Sequence, residues 1–162
     1  MALIVRQAHA AELETAGALW QRAEAARTGS PEQPAASELV SALAAAAAKP
    51  GARLFVGIMD TQLVATVYAV PLRADPTRAQ VAMLAVEPTR WGQGIGSQML
   101  TAVTDALRQQ GCARLRMNVD PANHRARALY ERHGWTHMGE TEKVPDADEP
   151  ELIYRVDLHA QP

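Results

Sequence analysis

Cysteine, phenylalanine and strong net charge are what this sequence has least of. Cys112 is the single cysteine in 162 residues, which excludes an internal disulfide and any thiolate-based zinc cluster. A nucleophilic role for it would need a base partner to which the sequence does not point, so Cys112 reads as a small residue at a strand start. Lys and Arg number 16 against 18 Asp and Glu, a formal net charge of −2. No global positive field therefore draws the chain to nucleic acid or anionic membrane, and an aromatic-basic surface pattern is missing as well. Any anionic ligand must be held by local geometry. Long apolar runs are also lacking, the alanine tract at 44–48 being far too short for a membrane span. The opening MALIVRQAHAAELE has neither the apolar core nor the cleavage site of a secretory signal, so a reducing cytoplasm is the expected compartment. His9, His133, His137 and His159 show no ligand spacing with one another or with carboxylates. They read as surface residues, and no metal is expected.

What is present is an ordinary globular balance, 48% hydrophobic and 21% charged, in a length that suits one domain over 1–162. Residues 2–8 predict a strand and 11–27 a helix, broken at Gly29-Ser30-Pro31. The Pro- and Ser-rich stretch 28–36 reads as a loop. A second helix is expected from about Ser37, its N-cap, to Lys49 before Pro50-Gly51. The runs ARLFVGIMD and QLVATVYAVPL predict two strands joined at Asp60-Thr61. Residues 73–79 read as a turn, followed by a strand, VAMLAVEP. Ile95, Met99, Leu100, Val103, Ala106 and Leu107 then recur at helical spacing, with Gly111 where a C-cap belongs. CARLRMNVD places Leu115, Met117 and Val119 on one face of a strand. A short helix, ANHRARALYERHG, precedes two final strands, WTHMGETEKV and ELIYRVDL, around an acidic loop at 145–150. Helices and strands interleave while tight turns join several strands, so the class is α/β (α+β) with a mixed sheet.

The most informative stretch is Leu84-Ala85-Val86-Glu87-Pro88-Thr89-Arg90-Trp91-Gly92-Gln93-Gly94-Ile95-Gly96-Ser97. Three alternating glycines lie between a strand and the first turn of an amphipathic helix. Glycine lets a ligand approach the backbone, and the first helical amides lack internal partners and face outward with the positive end of the dipole. Together they make a phosphate cradle that needs no basic side chain. The spacing G-x-G-x-G falls one residue short of the dinucleotide fingerprint, and no lysine follows as a nucleoside triphosphate loop requires. Taken alone, the glycines read equally as an unliganded turn.

They do not stand alone. The segment resembles motif A of the Gcn5-related N-acetyltransferases, [QR]-x-x-G-x-[GA]. Downstream, Asn123-His124-Arg125-Ala126-Arg127-Ala128-Leu129-Tyr130-Glu131-Arg132-His133-Gly134-Trp135 resembles that family's motif B, N-x-x-A-x-x-x-Y followed by a Gly-aromatic pair. The resemblance covers about residues 81–135. It implies a central, mostly antiparallel sheet of about seven strands flanked by about four helices, with one splayed strand pair that admits acetyl-CoA as co-substrate. One departure stands out: Trp91 occupies the position where the family has Gln or Arg, with Arg90 beside it. Trp91 is expected to pack under the loop, and Arg90 is a candidate for a coenzyme phosphate.

By the same resemblance, the amides of Gly92, Gln93, Gly94, Ile95, Gly96 and Ser97 would hold the pyrophosphate. The backbone of Leu84, Ala85 and Val86 would hold the pantetheine arm, with Val86 N–H polarising the thioester carbonyl. Asn123 would bond the pantetheine or cap its helix. Tyr130 stands at the motif B tyrosine and is the candidate general acid for the leaving thiolate; a phenol, with an ordinary pKa of about 10, holds its proton at neutral pH. An ammonium acceptor must lose a proton before it attacks. Relatives that acetylate N-terminal alanines place a glutamate for this where Asn118 stands here, and Asn118 cannot take a proton. Glu87 is the nearest carboxylate candidate, with Asp120 and His124 weaker ones.

The implied reaction is acetyl transfer to the primary amine of a small molecule by direct attack in a ternary complex. A protein lysine or N-terminus as acceptor is the alternative enzyme reading, and a non-catalytic acyl-CoA sensor the alternative outside enzymes. The acidic run Asp146-Ala147-Asp148-Glu149 would attract a cationic acceptor or serve as a solvated turn. Exposed sheet edges and the resemblance together suggest a homodimer.

Overall fold

In the computed structural model, residues 2–30, 34–145, 147 and 149–158 are described. Asp60 and Thr61 both take positive φ, 51° and 66°, and so turn the chain tightly between β2 (Arg53–Met59) and β3 (Gln62–Leu72). These strands open a seven-stranded sheet that also contains β1 (Ile4–Gln7), β4 (Asp75–Val86), β5 (Arg114–Val119), β6 (Thr141–Glu142) and β7 (Glu151–Asp157). The spatial order is β1-β2-β3-β4-β5-β7-β6. Only β4 and β5 run parallel, and every other neighbouring pair is antiparallel. The mixed, mostly antiparallel sheet is the one expected.

Four helices cover it: α1 (Leu13–Thr28), α2 (Ala36–Ala47), α3 (Ile95–Gln109) and α4 (His124–Arg132). The period of two along each strand decides which helix meets which residues. Phe55, Val67, Ala69 and Val81 join the cluster that holds the α3 stripe of Ile95, Met99, Leu100, Val103 and Leu107. Their neighbours Leu54 and Tyr68 turn to the other face and pack with Ala16 of α1 and Leu43 of α2. Leu115, Met117 and Val119 are buried on the α3 face, as their alternation predicts, together with Tyr130 of α4. Each such apolar side chain contributes about 1.5–3 kcal/mol on burial.

Three local expectations are corrected. Ser37 lies inside α2, whose N-cap is Ala35 with no side-chain cap. β4 begins at Asp75 rather than after residue 79. Pairing with β3 carries the turn-like DPTRA segment into the sheet, and Asp75 satisfies its own turn chemistry by accepting from the Thr77 backbone and hydroxyl. The long strand expected over 135–144 shrinks to a bridge at Thr136 and the short β6, because Gly139 with φ 79° interrupts it.

Candidate active site

The site starts where two strands part. β4 pairs with β5 only through Arg78↔Arg114, Ala79↔Leu115 and Gln80↔Arg116, although both strands continue. At the closed end of the gap, the Gln80 amide donates to Asn118 Oδ1 at 3.1 Å. On the other edge of β4 the register with β3 slips between Thr66↔Ala85 and Tyr68↔Ala82, so one extra residue is accommodated in β4. Met83 takes φ 56° there, a left-handed conformation that costs a non-glycine residue roughly 1–2 kcal/mol. A bulge of this kind bends its strand and re-aims backbone groups. It lies directly before Leu84, Ala85 and Val86, which line the widening gap.

Beyond β4 the Glu87 amide donates to the Val64 carbonyl at 2.8 Å, and a short 3₁₀ turn over Pro88–Arg90 leads to the glycine loop. Gly92 and Gly94 have φ of 82° and 80°, and Gly94 is the N-cap of α3. A Cβ added at either would meet nothing within 4 Å. These two glycines are therefore needed for their conformation, and the space before them is open to a ligand. Gly96 differs: its Cβ would lie 3.3 Å from Leu129 and 3.8 Å from Val86, so it allows α3 to sit close to α4 and the end of β4. The amides of 92–97 thus surround an open helix N-terminus, which suits a pyrophosphate.

Trp91 packs against the loop, half-buried, as expected. Its Nε1 donates to the Val86 carbonyl at 2.9 Å, and the Arg125 guanidinium lies 4.4 Å over its ring. Arg90 instead turns toward β2, donating to Met59 Sδ at 3.1 Å. Ser97 shares a hydrogen bond with His133, which is half-buried rather than the surface residue expected. Burial and Arg132 together lower the His133 pKa. His137 is half-buried too, its ring 4.7 Å from that of Tyr154.

Asn123 caps α4 by accepting from the Ala126 amide at 3.2 Å. Tyr130 is 5% exposed, its ring set between Trp135 and Tyr154 at 6.0 and 6.1 Å. Among the described residues its hydroxyl has no hydrogen-bond partner. Burial first, then the Glu24 carboxylate, pushes its pKa far up, so it stays a proton donor through the neutral range.

The carboxylates divide in two. Glu87 is bonded by Arg22 of α1 at 2.7 Å. Across the gap, Arg27 of α1 holds Glu24 through two bonds of 3.0 and 2.7 Å and Asp120 through a third of 3.0 Å. Asp120 follows the last residue of β5, and the pairing Val119↔Leu152 sets Glu151 of β7 opposite it. Burial raises the Glu151 pKa, and Asp120, Glu24 and Glu142 raise it further against the opposing Arg27. Sequence reasoning missed Glu24, Arg27 and Glu151, which carry no motif and no periodicity that links them. Asn118 is engaged with Gln80, Arg116 and Glu142, and His124 is exposed at the start of α4. Cys112 is buried, with its thiol pushed up, as a structural cysteine should be. Asp146, Asp148 and His159 lie outside the described residues. Among the described residues, no helix is long and apolar enough to cross a membrane, and no three His, Cys, Asp or Glu side chains group as a metal site.

Comparison with known proteins agrees with this geometry. The chain is 37% identical over 62 residues to a mycothiol acetyltransferase of Beutenbergia cavernae, a match that covers 38% of this chain and 21% of that protein. The chain thus spans about a fifth of the length of the curated relative it matches. An acetyltransferase of the GNAT family from Staphylococcus aureus Mu50 superposes with a TM-score of 0.80 at 12% identity, over 97% of this chain and 99% of that one. The PaiA N-acetyltransferase from Thermoplasma acidophilum, solved in complex with coenzyme A, gives 0.76 at 15% identity over 97% and 99%. At such identities these structures show the fold. The family model described as the acetyltransferase (GNAT) family matches residues 18–135, from α1 through both motifs to Trp135, and the chain belongs to that family.

Proposed function

We propose that the chain transfers the acetyl group of acetyl-CoA to a primary amine of a small molecule by direct attack within a ternary complex, with 1–162 acting as one transferase domain. The observation that carries this reading is the parting of β4 from β5 after Gln80↔Arg116, which leads from an open gap straight into the glycine cradle. The coenzyme A held by the PaiA N-acetyltransferase supports acetyl-CoA as the second substrate.

Acetyl-CoA supplies an acyl group already activated as a thioester. The amides of Gly92, Gln93, Gly94, Ile95, Gly96 and Ser97 bind its pyrophosphate, each bond to a charged oxygen contributing about 1.5–3 kcal/mol. Backbone groups of Leu84, Ala85 and Val86 orient the pantetheine arm, with Asn123 at its side. The Val86 N–H stabilises charge developing on the carbonyl oxygen, a contribution of about 2.7–4 kcal/mol for one such donor. Tyr130 gives its proton to the departing sulfur. Glu87 is the carboxylate nearest the cradle for proton uptake, directly or through water, after release from Arg22. The bond from Arg27 to Asp120 ties α1 to the end of β5 beside the open end of the gap, which supports a small acceptor over a polypeptide.

Calorimetric titration with acetyl-CoA, followed by thiol release over an amine panel, tests the reading. Saturable binding with turnover on at least one small amine is expected. Binding with turnover only on peptides overturns the small-molecule acceptor, and absence of acetyl-CoA binding overturns the transferase.

A further inference from the structure

One group of charges is not consumed by coenzyme binding. Glu24 from α1, Asp120 after β5 and Glu151 at the start of β7 gather on the α1 side of the sheet, at the open end of the gap. The bonds from Arg27 to Glu24 and Asp120 tie two of them together. The strand register brings the third opposite Asp120. Three carboxylates thus face one guanidinium. Glu142, the remaining carboxylate that acts on Glu151, is itself bonded by Arg116 and Asn118. Glu151 has no hydrogen-bond partner among the described residues, although it is half-buried, and a desolvated carboxylate without a partner is costly unless a cation meets it.

A second feature points to the same place. Tyr130 is 5% exposed, and its hydroxyl, without a partner among the described residues, feels the Glu24 carboxylate. A side chain this deeply buried whose hydroxyl lacks a partner among the described residues, within range of the Glu24 charge, suits a reaction centre better than a structural core. Among the described residues no three such side chains group as a metal site, and the cation that acyl transfer to an amine brings is an ammonium.

We propose that Glu151, in place of the Glu87 carboxylate that Arg22 already holds, binds the ammonium of the acceptor with the support of Glu24 and Asp120, takes its proton, and selects amines that bring no negative charge into the recess. This rests on the transferase reading above. In the step, one ammonium proton passes to Glu151 and the freed nitrogen forms the C–N bond as the C–S bond breaks. The sulfur leaves with the Tyr130 proton, and Tyr130 recovers the second proton lost by nitrogen. Ammonium and thioester give amide, thiol and one proton, which Glu151 releases to water.

The probes are 1,4-diaminobutane and 4-aminobutanoate, equal in chain length and differing in an ammonium against a carboxylate at the far end. Acetyl-CoA binding is measured first by calorimetry; its absence removes the transferase reading itself. With binding present, kcat/KM should favour the diamine by at least about tenfold, since like charges in a partly desolvated recess repel strongly. Glu151→Gln should lower kcat/KM for the diamine by about a hundredfold, the scale of general base catalysis, and leave acetyl-CoA affinity unchanged. It should also abolish the acidic limb of the pH–rate profile, which in the parent chain lies above the ordinary glutamate range because an active base must be deprotonated. Glu151→Asp should restore part of the rate and the limb. Equal use of the two amines, use of neither, or a Glu151→Gln enzyme that keeps its rate and its limb overturns the proposal while acetyl-CoA binding still stands.

Discussion

On one side of the gap between β4 and β5 the chain presents backbone; on the other it presents side chains. The proposed coenzyme side consists of the amides of residues 92–97, the bulge at Met83 and the edge of β4 at Leu84–Val86, all close to one another in sequence. The proposed acceptor side is assembled from Glu24 and Arg27 of α1 with Asp120, Tyr130 and Glu151, which only the fold brings to them. A backbone site is rigid, since moving one amide means moving a helix or a strand. A site of side chains is softer, because each turns about its own rotatable bonds and an ion pair near the surface contributes only about 0–1 kcal/mol. On the proposed function, acceptor choice can therefore drift by substitution while coenzyme binding stays fixed.

The largest effect should come from filling the backbone side. Gly94→Trp puts a bulky side chain where the space is open and forces a non-glycine residue to φ 80°. Acetyl-CoA affinity in calorimetry should fall by a hundredfold or more, roughly the loss of two charge-assisted bonds. Gly94→Ala separates the two causes, since its Cβ meets nothing and only the conformational cost of about 1–2 kcal/mol remains. Equal losses from both variants would mean that the loop conformation, rather than the open space, decides binding.

Next in size is Tyr130→Phe. With the hydroxyl unpartnered among the described residues, its removal leaves no orphaned group, so the thermal midpoint should hold. The kcat should fall by about 10²–10³, within the usual range for general acids, at unchanged acetyl-CoA affinity. Because the phenol is active when protonated and its pKa is raised, no alkaline loss of rate from Tyr130 should appear below the ordinary tyrosine range. A drop in stability with kcat intact would make Tyr130 a core residue only.

A milder substitution isolates the soft side. Arg27→Gln removes the pair to Glu24 within α1 and the pair to Asp120 that ties α1 to the end of β5, and KM for the amine should change by about threefold, as pairs of under 1 kcal/mol near the surface imply. Acetyl-CoA affinity should not move, and a parallel loss of it would show that the two sides are coupled.

The same division explains what could be read from sequence. The glycine loop and the start of α3 were legible because glycines at 92, 94 and 96 and the helical stripe behind them are local signals. The structure also assigns each glycine its reason: conformation at the first two, close packing at the third. Leu115, Met117 and Val119 announced β5 by alternation. The start of β4 was hidden because Asp75-Pro76 carries genuine turn chemistry, which sheet pairing overrides. Glu151 was invisible for a different reason. It opens a strand-like run and gains meaning only from Asp120, Arg27 and Glu24, across a separation that no periodicity spans. Glu87 was the nearest carboxylate along the chain, and no feature of the sequence foretold its bond to Arg22.

The smallest effect concerns the departure at Trp91, where the backbone side borrows one side chain. The indole anchors the loop to the Val86 carbonyl and offers its face to Arg125, so a positive charge returns to the cradle from α4 rather than from the loop itself. An exposed cation–π contact contributes about 0.5–1 kcal/mol. Arg125→Gln and Trp91→Leu should therefore each weaken acetyl-CoA binding about two- to fivefold, more at low salt than at high. If the two act through one contact, the double variant should lose little more than the worse single. Additive losses would instead give Trp91 a separate role as the pin of the loop, with Arg125 acting on the phosphates unaided. A result of that kind would shift part of the coenzyme side from backbone to side chain and narrow the contrast between the two halves of the gap.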